Sequence, residues 1–552
     1  MAFPTLSKIE NNILYPLKKT PLPNLSRFQE KPFVEYLFEV VRKNLSENGD
    51  RPWLTNGAVQ VLGRSKVLGE ETVMLSEVEQ RSRMIARVLH HKYHLVRGDV
   101  VHIVLPNTTQ YYYPVLATWI LQGVVSPADP GLAPQVLATQ LQDAGTKVIF
   151  CCQNTLEKVR TALTELKREV PIIVVDGDHT ISDNSVDSLH SLLEQDIPDI
   201  TDSYKVEENE RCLLCWSSGT TGRPKGIQHG SNLFIKLLTD QHYEIKSLQT
   251  TCMFHMGGFY NPIRNLCMGS VVFLAGEDLD LNPSLILKSA EMVAPDSLVC
   301  GTHHAVMLAS LNSAKYKQIT SLKIVWPLGA NIYDGIAEDL RKFFPNLLFV
   351  GNVYGQSEVF SPVGVSTSQT NLGGLHSVME ALKFVDEETG ESVGPGIVGE
   401  FAVKPSSYTV MLGYLNNKEE NEHFFGKDGF LYLGDLGHYD ENGVIFYDGR
   451  KKDLIKYKNS HLYPKELEDL IMKHQDVEDV AVFGKPEPTV QELVTAVVVR
   501  KKQSVLDAAE IIEQVNNKVD DHKKLRGGVY FVDKIPRNPQ GKILRGNLLR
   551  LI

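Results

Sequence analysis

Short apolar, β-branched runs alternate with helix-length segments over the first two thirds of the chain. Residues 100–105 read as a strand, 111–123 as a helix, and 147–152 and 171–175 again as strands. Strand-length apolar runs separated by helical segments predict βαβ units, whose parallel strands are covered on both faces and so show no polar alternation. From about residue 390 the texture changes to shorter strands and turns: 399–404, 429–434, and an Asn442-Gly443 pair between Tyr439 and the apolar run 444–447. Asn-Gly flanked by apolar residues predicts a tight hairpin. After Arg450 a charged stretch, Lys451-Lys452-Asp453, leads into a last unit. Its predicted order is strand (454–457), helix (464–474), strand (477–483), strand (493–500), helix (508–519), strand (528–532). The fold class is α/β for the large part, with a small α+β domain after it and a candidate hinge at 450–453.

Length and charge sharpen this picture. A chain of 552 residues exceeds one hydrophobic core and predicts about three or four folding units. Lys plus Arg number 57 against 67 Asp plus Glu, a net charge of −10. That balance gives no electrostatic footprint for nucleic acid or an anionic membrane, so any phosphate must be held locally. The seven cysteines are scattered, and Cys212-Leu-Leu-Cys215 reads as part of a buried strand rather than half a zinc site. A reducing, intracellular setting is expected, with the cytoplasm favoured: the N-terminus lacks the apolar run of a signal peptide, and Leu549-Arg-Leu-Ile552 is not a Ser-Lys-Leu address. Residues 101–127 contain no Asp, Glu, Lys or Arg, yet Pro106, Asn107, Gln110, Pro114 and Gln122 interrupt them, which predicts a buried strand, a turn and a core helix rather than a membrane span.

The first chemical signal is Trp216-Ser-Ser-Gly-Thr-Thr-Gly-Arg-Pro-Lys-Gly226. Glycines let backbone approach a ligand closely, and the hydroxyls of Ser217, Ser218, Thr220 and Thr221, the backbone of Gly219 and Gly222, and the ammonium of Lys225 can all donate to polyphosphate oxygens. It is not the phosphate loop of common nucleotidases, because Pro224 precedes the lysine and steers the chain away from helix there.

These eleven residues resemble the signature loop of the adenylate-forming superfamily, which includes acyl-CoA synthetases, 4-coumarate:CoA ligases and insect luciferases. The other signatures follow in that family's order. Tyr354-Gly-Gln-Ser-Glu358 is similar to its Tyr-Gly-x-Thr-Glu: by that likeness Tyr354 and Gly355 meet adenine, Ser357 holds a phosphate oxygen, and Glu358 binds Mg²⁺. Gly329-Ala330-Asn331 resembles the segment lying along the adenine. Tyr432-Leu-Gly-Asp435 and Asp448-Gly-Arg450 resemble the motifs whose Asp435 and Arg450 take the ribose hydroxyls. Pro536-Arg-Asn-Pro-Gln-Gly-Lys542 resembles the motif with the catalytic lysine, here Lys542. Lys456 and Lys458-Asn459 fall in the segment tied to the coenzyme A step, and His255 matches a histidine near the acyl site. A lysine suits adenylation on physical grounds, since both the attacking carboxylate and the α-phosphate are anionic.

The resemblance implies a domain over residues 1–449 with a small β-barrel-like part, a hinge at 450–453, and a mobile lid over 454–552 carrying Lys542. It implies ATP, Mg²⁺ and coenzyme A as cofactors and a carboxylic acid as substrate, with no nucleic-acid partner and a monomer favoured. Val353, His376 and Asn459 depart from the family pattern at narrow positions. Residues 254–263, 301–305 and 356–362, mostly apolar with His303 and His304 among them, suggest a medium- or long-chain fatty acid, with an aryl acid second. A luciferase-like oxygenase, suggested by the layout around Lys523-Lys-Leu-Arg-Gly-Gly528, and a non-catalytic adenylate or acyl-CoA binder are the alternatives.

Overall fold

The computed structural model describes the chain outside residues 1–6, 17–27, 29, 57–71, 177–185, 201–205, 218–223, 240–244, 276–282, 330–331, 333–334, 352, 367–374, 406–409, 459 and 538–541, and only the backbone of 7, 16, 239, 361, 362, 376 and 461. Two large sheets carry the N-terminal part. In the eight-stranded one, Arg211–Trp216, Val124–Pro127, Val100–Val104, Val148–Cys151, Ile172–Val174 and Val186–Ser188 run parallel in that spatial order. Gly226–Gly230 and Gly413–Tyr414 add antiparallel strands at one edge. The seven-stranded sheet is parallel from Phe349–Val350 through Pro52–Asn56, with Thr72–Met74 antiparallel at its end. Every residue of Val100–Val104 is buried, as two-sided cover demands.

The charge-free stretch forms that strand and the helix Tyr112–Ile120, and no helix among the described residues is long and apolar enough to cross a membrane. Trp119 anchors the helix. It is 1 % exposed, packs on Phe33, Phe234 and Phe259, and donates its indole N–H to the Cys212 carbonyl at 2.9 Å. Cys212 and Cys215 lie on the buried strand Arg211–Trp216 as expected. Their sulfurs meet different neighbours, the His229 carbonyl and the Met256 sulfur, because positions three apart on a strand face opposite ways.

A third, antiparallel sheet joins Ser7–Glu10, Ile13–Pro16, Ala381–Val385, Gly399–Lys404, Leu431–Tyr439 and Ile445–Arg450. The expected barrel-like part is this sheet, and it is open: its two outer strands do not pair among the described residues. The hairpin at Asn442-Gly443 is present, with Tyr439 opposite Ile445 and Gly443 at φ +74°.

The last unit follows the predicted order with one strand more, Ser460–Leu462, before its first helix, and has its own core, in which Leu467, Ile471, Val480, Val498, Ile511 and Val515 pack together. Its central hairpin is longer than read from sequence, Val477–Glu487 against Gln491–Arg500. Pairing continues past Phe483, with Gly484 opposite Val494 and Pro486 opposite Glu492.

Trp119→Ala removes the largest side chain of this helix together with a buried hydrogen bond. An expected loss of about 3–5 kcal/mol should appear as a lower urea midpoint, with Trp119→Phe intermediate.

Candidate active site

The strand Arg211–Trp216 delivers the chain to Ser217, and Gly226–Gly230 carries it back. The two ends are tied together: Ser217 N donates to the Lys225 carbonyl at 3.0 Å and Lys225 N to Ser217 Oγ at 3.2 Å. Lys225 leads into a strand and not a helix. Residues 218–222, with the predicted donors Ser218, Gly219, Thr220, Thr221 and Gly222, lie outside the described residues, as do Ala330, Asn331 and Asn459. Below the loop, the Trp216 indole N–H donates to Ser126 Oγ at 2.9 Å, and a buried chain continues through His102 Nε2 (3.1 Å) and His102 Nδ1 to Thr146 Oγ1 (2.7 Å).

These strand ends open onto one cleft of about 2540 Å³. Ser217, Lys225, Gly329, Tyr354, Gly355, Ser357, Glu358, Asp435, Arg450, Lys456, Lys542 and His255 all line it. The structure thus gathers predicted residues that are up to 325 positions apart in sequence, from Ser217 to Lys542. Lys458 is not gathered: it is exposed, at φ +52°, with its ammonium 5.3 Å from the Tyr457 ring and outside the cleft lining.

Asp435 is the deepest charge, 1 % exposed. It accepts from the Tyr354 hydroxyl (2.7 Å) and from Gln356 Nε2 (2.6 Å), and pairs with Arg450 Nε (2.8 Å). A carboxylate offers about four acceptor positions, so it can still accept from a further hydroxyl. Burial works against the Arg450 charge, but Asp435, with smaller contributions from Tyr447, Tyr354 and Glu358, more than offsets it and raises its pKa. Burial and Asp435 likewise push the Tyr354 hydroxyl up, so it stays a donor.

Glu358 follows the strand Val353–Gln356 and accepts from the Tyr414 hydroxyl at 2.9 Å. Lys225 contacts Glu420 and lies 5.5 Å from the Tyr414 ring. Lys542 keeps solvent access while its ammonium faces dense protein: desolvation lowers its pKa, Arg450 and Lys452 push the same way, and Asp435 and Glu358 oppose them. Burial, with Lys542 adding to it, lowers His255 to about 3, so its imidazole is neutral. Both acyl-side histidines, His303 and His304, line the cleft, and His304 is 2 % exposed with Nδ1 2.9 Å from Thr250 Oγ1.

Three residues of this site escaped the sequence reading as site residues, and a fourth, Gln356, read as an acyl-pocket candidate, has its amide on Asp435 instead. Lys452 was read as hinge charge alone, yet it lines the cleft with a pKa lowered by burial and by Arg450. Tyr414 and Glu420 belong to no recognised pattern, and no sequence signal marks them.

Comparison with known proteins agrees with this geometry. The AMP-binding enzyme family matches residues 43–415, and the AMP-binding enzyme C-terminal domain matches 466–542. The chain is 28 % identical over 553 residues to a 4-coumarate–CoA ligase of Pinus taeda, covering 96 % of this chain and 97 % of that protein. It is 29 % identical over 474 residues to the peroxisomal OPC-8:0-CoA ligase 1 of Arabidopsis thaliana, covering 82 % and 84 %. Among solved structures, the anthranilate CoA ligase AuaEII in complex with anthranoyl-AMP superposes at a TM-score of 0.78 (20 % identity, 93 % and 96 % covered). The Bacillus subtilis o-succinylbenzoate coenzyme A synthetase MenE, in complex with ATP and magnesium ion, gives 0.74 (21 %, 93 % and 99 %). At those identities the structures speak for the fold alone.

Two fully buried histidines carry a stability prediction. Burial lowers His102 to about 3 and His229 to about 4, both from 6.5. The unfolded chain therefore binds protons first as pH falls, so stability is complete above about 6.5 and is lost as pH drops towards 4. Between pH 7 and 5.5 the two should remove roughly 2–3 kcal/mol, read as a falling urea midpoint. His102→Gln should remove about half of that pH dependence.

Proposed function

The chain belongs to the AMP-binding enzyme family, and on that premise we propose that it is an AMP-forming acid–thiol ligase: it activates a carboxylic acid with ATP as an acyl adenylate and then transfers the acyl group to coenzyme A. The observation that carries this reading is the placement of Lys542, from the C-terminal unit, in the same cleft as Lys225, Glu358, Asp435 and Arg450.

In the first half-reaction, the acid's carboxylate oxygen attacks the α-phosphorus of ATP, the bond to the bridging oxygen breaks, and pyrophosphate leaves. The Lys542 ammonium stands between the two anionic reactants and stabilises charge that grows in the transition state. Asp435 takes the ribose hydroxyls through its remaining acceptor capacity, with Arg450 beside it. Ser217 and Lys225 close the base of the loop that would hold the β- and γ-phosphates. The oxygen donors of Glu358 suit Mg²⁺, which in nucleotide sites takes one or two carboxylates plus phosphate oxygens. When bound, Mg²⁺ would neutralise phosphate charge.

For the second half-reaction the 454–552 unit turns about 450–453, where the strand Ile445–Arg450 gives way to the short helix Lys451–Asp453. Its independent core suits it to move as one body. Turning withdraws Lys542 and brings the exposed Lys458 towards the entry path of the thiol. Buried free thiols fit a reducing, intracellular site of action.

The acyl side of the cleft is lined by Phe254, Gly257, Tyr260, Val299, Trp326, Leu328 and Phe360, with the Tyr260 and Phe360 rings 4.3 Å apart. This apolar wall favours a medium- or long-chain fatty acid. An aryl acid is the second reading, supported by the ring pair and by relatives named as 4-coumarate and anthranilate ligases.

Two experiments decide. Exchange of labelled pyrophosphate into ATP should fall roughly 100-fold or more in Lys542→Ala; unchanged exchange removes Lys542 from the chemistry. An acid panel read by AMP release, with and without coenzyme A, should show release that coenzyme A accelerates, strongest for fatty acids. Release indifferent to coenzyme A, with light from a luciferin, would instead identify an oxygenase, and no release with any acid a binder.

A further inference from the structure

Lys225 stands at the foot of the phosphate loop, yet its ammonium is already engaged. It contacts Oε1 of Glu420, on the first turn of the helix Lys418–Phe424, and the two side chains are 28 % and 39 % exposed. That helix is fixed from several sides. Asn417 Oδ1 caps the Glu420 N–H at 3.2 Å, and Asn421 accepts from Tyr414 N at 2.6 Å and donates to the Tyr414 carbonyl at 3.0 Å. Tyr414 in turn lies 5.5 Å from the Lys225 ammonium and donates to Glu358 at 2.9 Å. One short segment, residues 414–421, therefore holds both a phosphate-loop cation and the carboxylate across from it.

We propose that Glu420 is a built-in counter-anion for Lys225: it competes with phosphate for the ammonium and so sets how tightly the enzyme holds the triphosphate of ATP and the pyrophosphate it releases. The inference rests on the adenylate-forming reading above. The electrostatics of the cleft motivate it. Lys225, Arg450, Lys452 and Lys542 bring four cations to one space, and Lys225 is close enough to Lys452 to lower the pKa of that residue, after burial, Arg450 and Asp453 have acted. Such a cluster would grip pyrophosphate strongly and release it slowly. A carboxylate able to take back Lys225 as the product leaves makes the exchange one anion for another, so neither direction strands a charge. A half-exposed ion pair is weak and screened by salt, which suits a ligand that must give way each turnover. Glu420 touches no reacting atom; it acts through Lys225.

Glu420→Gln keeps the shape and removes the charge. The dissociation constant for ATP and the inhibition constant for pyrophosphate are both expected to fall about two- to fivefold, the range that a surface ion pair spans. The KM values for the acid and for coenzyme A should stay unchanged, and ATP binding should become more salt-sensitive because a competing fixed anion is gone. Glu420→Ala should move both constants in the same direction, and thermal melting of both variants checks the fold. In a Lys225→Met background, Glu420→Gln should change neither constant. Unchanged or weaker ATP and pyrophosphate binding in folded Glu420→Gln overturns the proposal, as does an equal effect in the Lys225→Met background. Direct titration with ATP separates the two readings. Tighter ATP binding in Glu420→Gln, in an enzyme that exchanges pyrophosphate with no acid, sinks the activity and keeps the counter-anion.

Discussion

A carboxylate stripped of water is costly unless other groups replace the lost hydration, and Asp435 meets that condition with two hydrogen bonds from one strand and an ion pair from another. Tyr354 and Gln356 come from the strand Val353–Gln356, which belongs to a small three-stranded sheet, and Arg450 comes from the last residue of the open antiparallel sheet. The pairing of Asp435 with Arg450 is set by register: the two face each other across the hairpin that Asn442-Gly443 closes. A slip of one residue would send Arg450 to the other face of the sheet. The turn chemistry of two residues thus decides whether a buried anion is neutralised. The same pair fixes where the chain leaves the large domain, because Lys451–Asp453 begins at the next residue.

What could be read from the sequence follows from the range of the forces involved. The parallel strands were legible because two-sided burial leaves a continuous apolar run, and the hairpin because Asn-Gly is a local signal. The cysteine pair was legible for the same reason, since its neighbours are those of a strand. By contrast, nothing in residues 7–16 announces that Leu14 pairs with Leu382 in a sheet built mostly from the far end of the domain. The predicted strand of the last unit stops at Phe483, whereas pairing with the partner strand carries it through Gly484 and Pro486 to Glu487.

The candidate site divides the same way. Its glycines, hydroxyls and charged residues are legible as motifs, because close backbone approach and phosphate contact restrict residue type. Tyr414, Glu420 and Gln356 are ordinary residues in sequence and matter only by where topology sets them: the strand Gly413–Tyr414 pairs with Gly226–Gly230 directly after Lys225, so Tyr414 faces Ile227 and the following helix reaches the lysine. That convergence requires the eight-stranded sheet to be complete.

Although the chain carries a net −10, Lys225, Arg450 and Lys452 line the same cleft as Lys542, where Asp435 pairs with Arg450, Glu420 with Lys225, and Glu358 accepts from the Tyr414 hydroxyl. Desolvation and the neighbouring cations lower the pKa of Lys542, and an ammonium in that setting gains from any anion brought beside it. The lysine is tied to the linker by an ionic clip three residues on: Arg545 pairs with Glu468 of its own unit at 2.8 Å and with Asp453 at 3.4 Å. A turn about 450–453 that moved the lid would have to break or carry along the Asp453 contact. In the proposed mechanism, withdrawal of the lysine and rotation of the C-terminal unit would then be one event, and an anion that draws Lys542 inward would bias the unit towards the adenylating position.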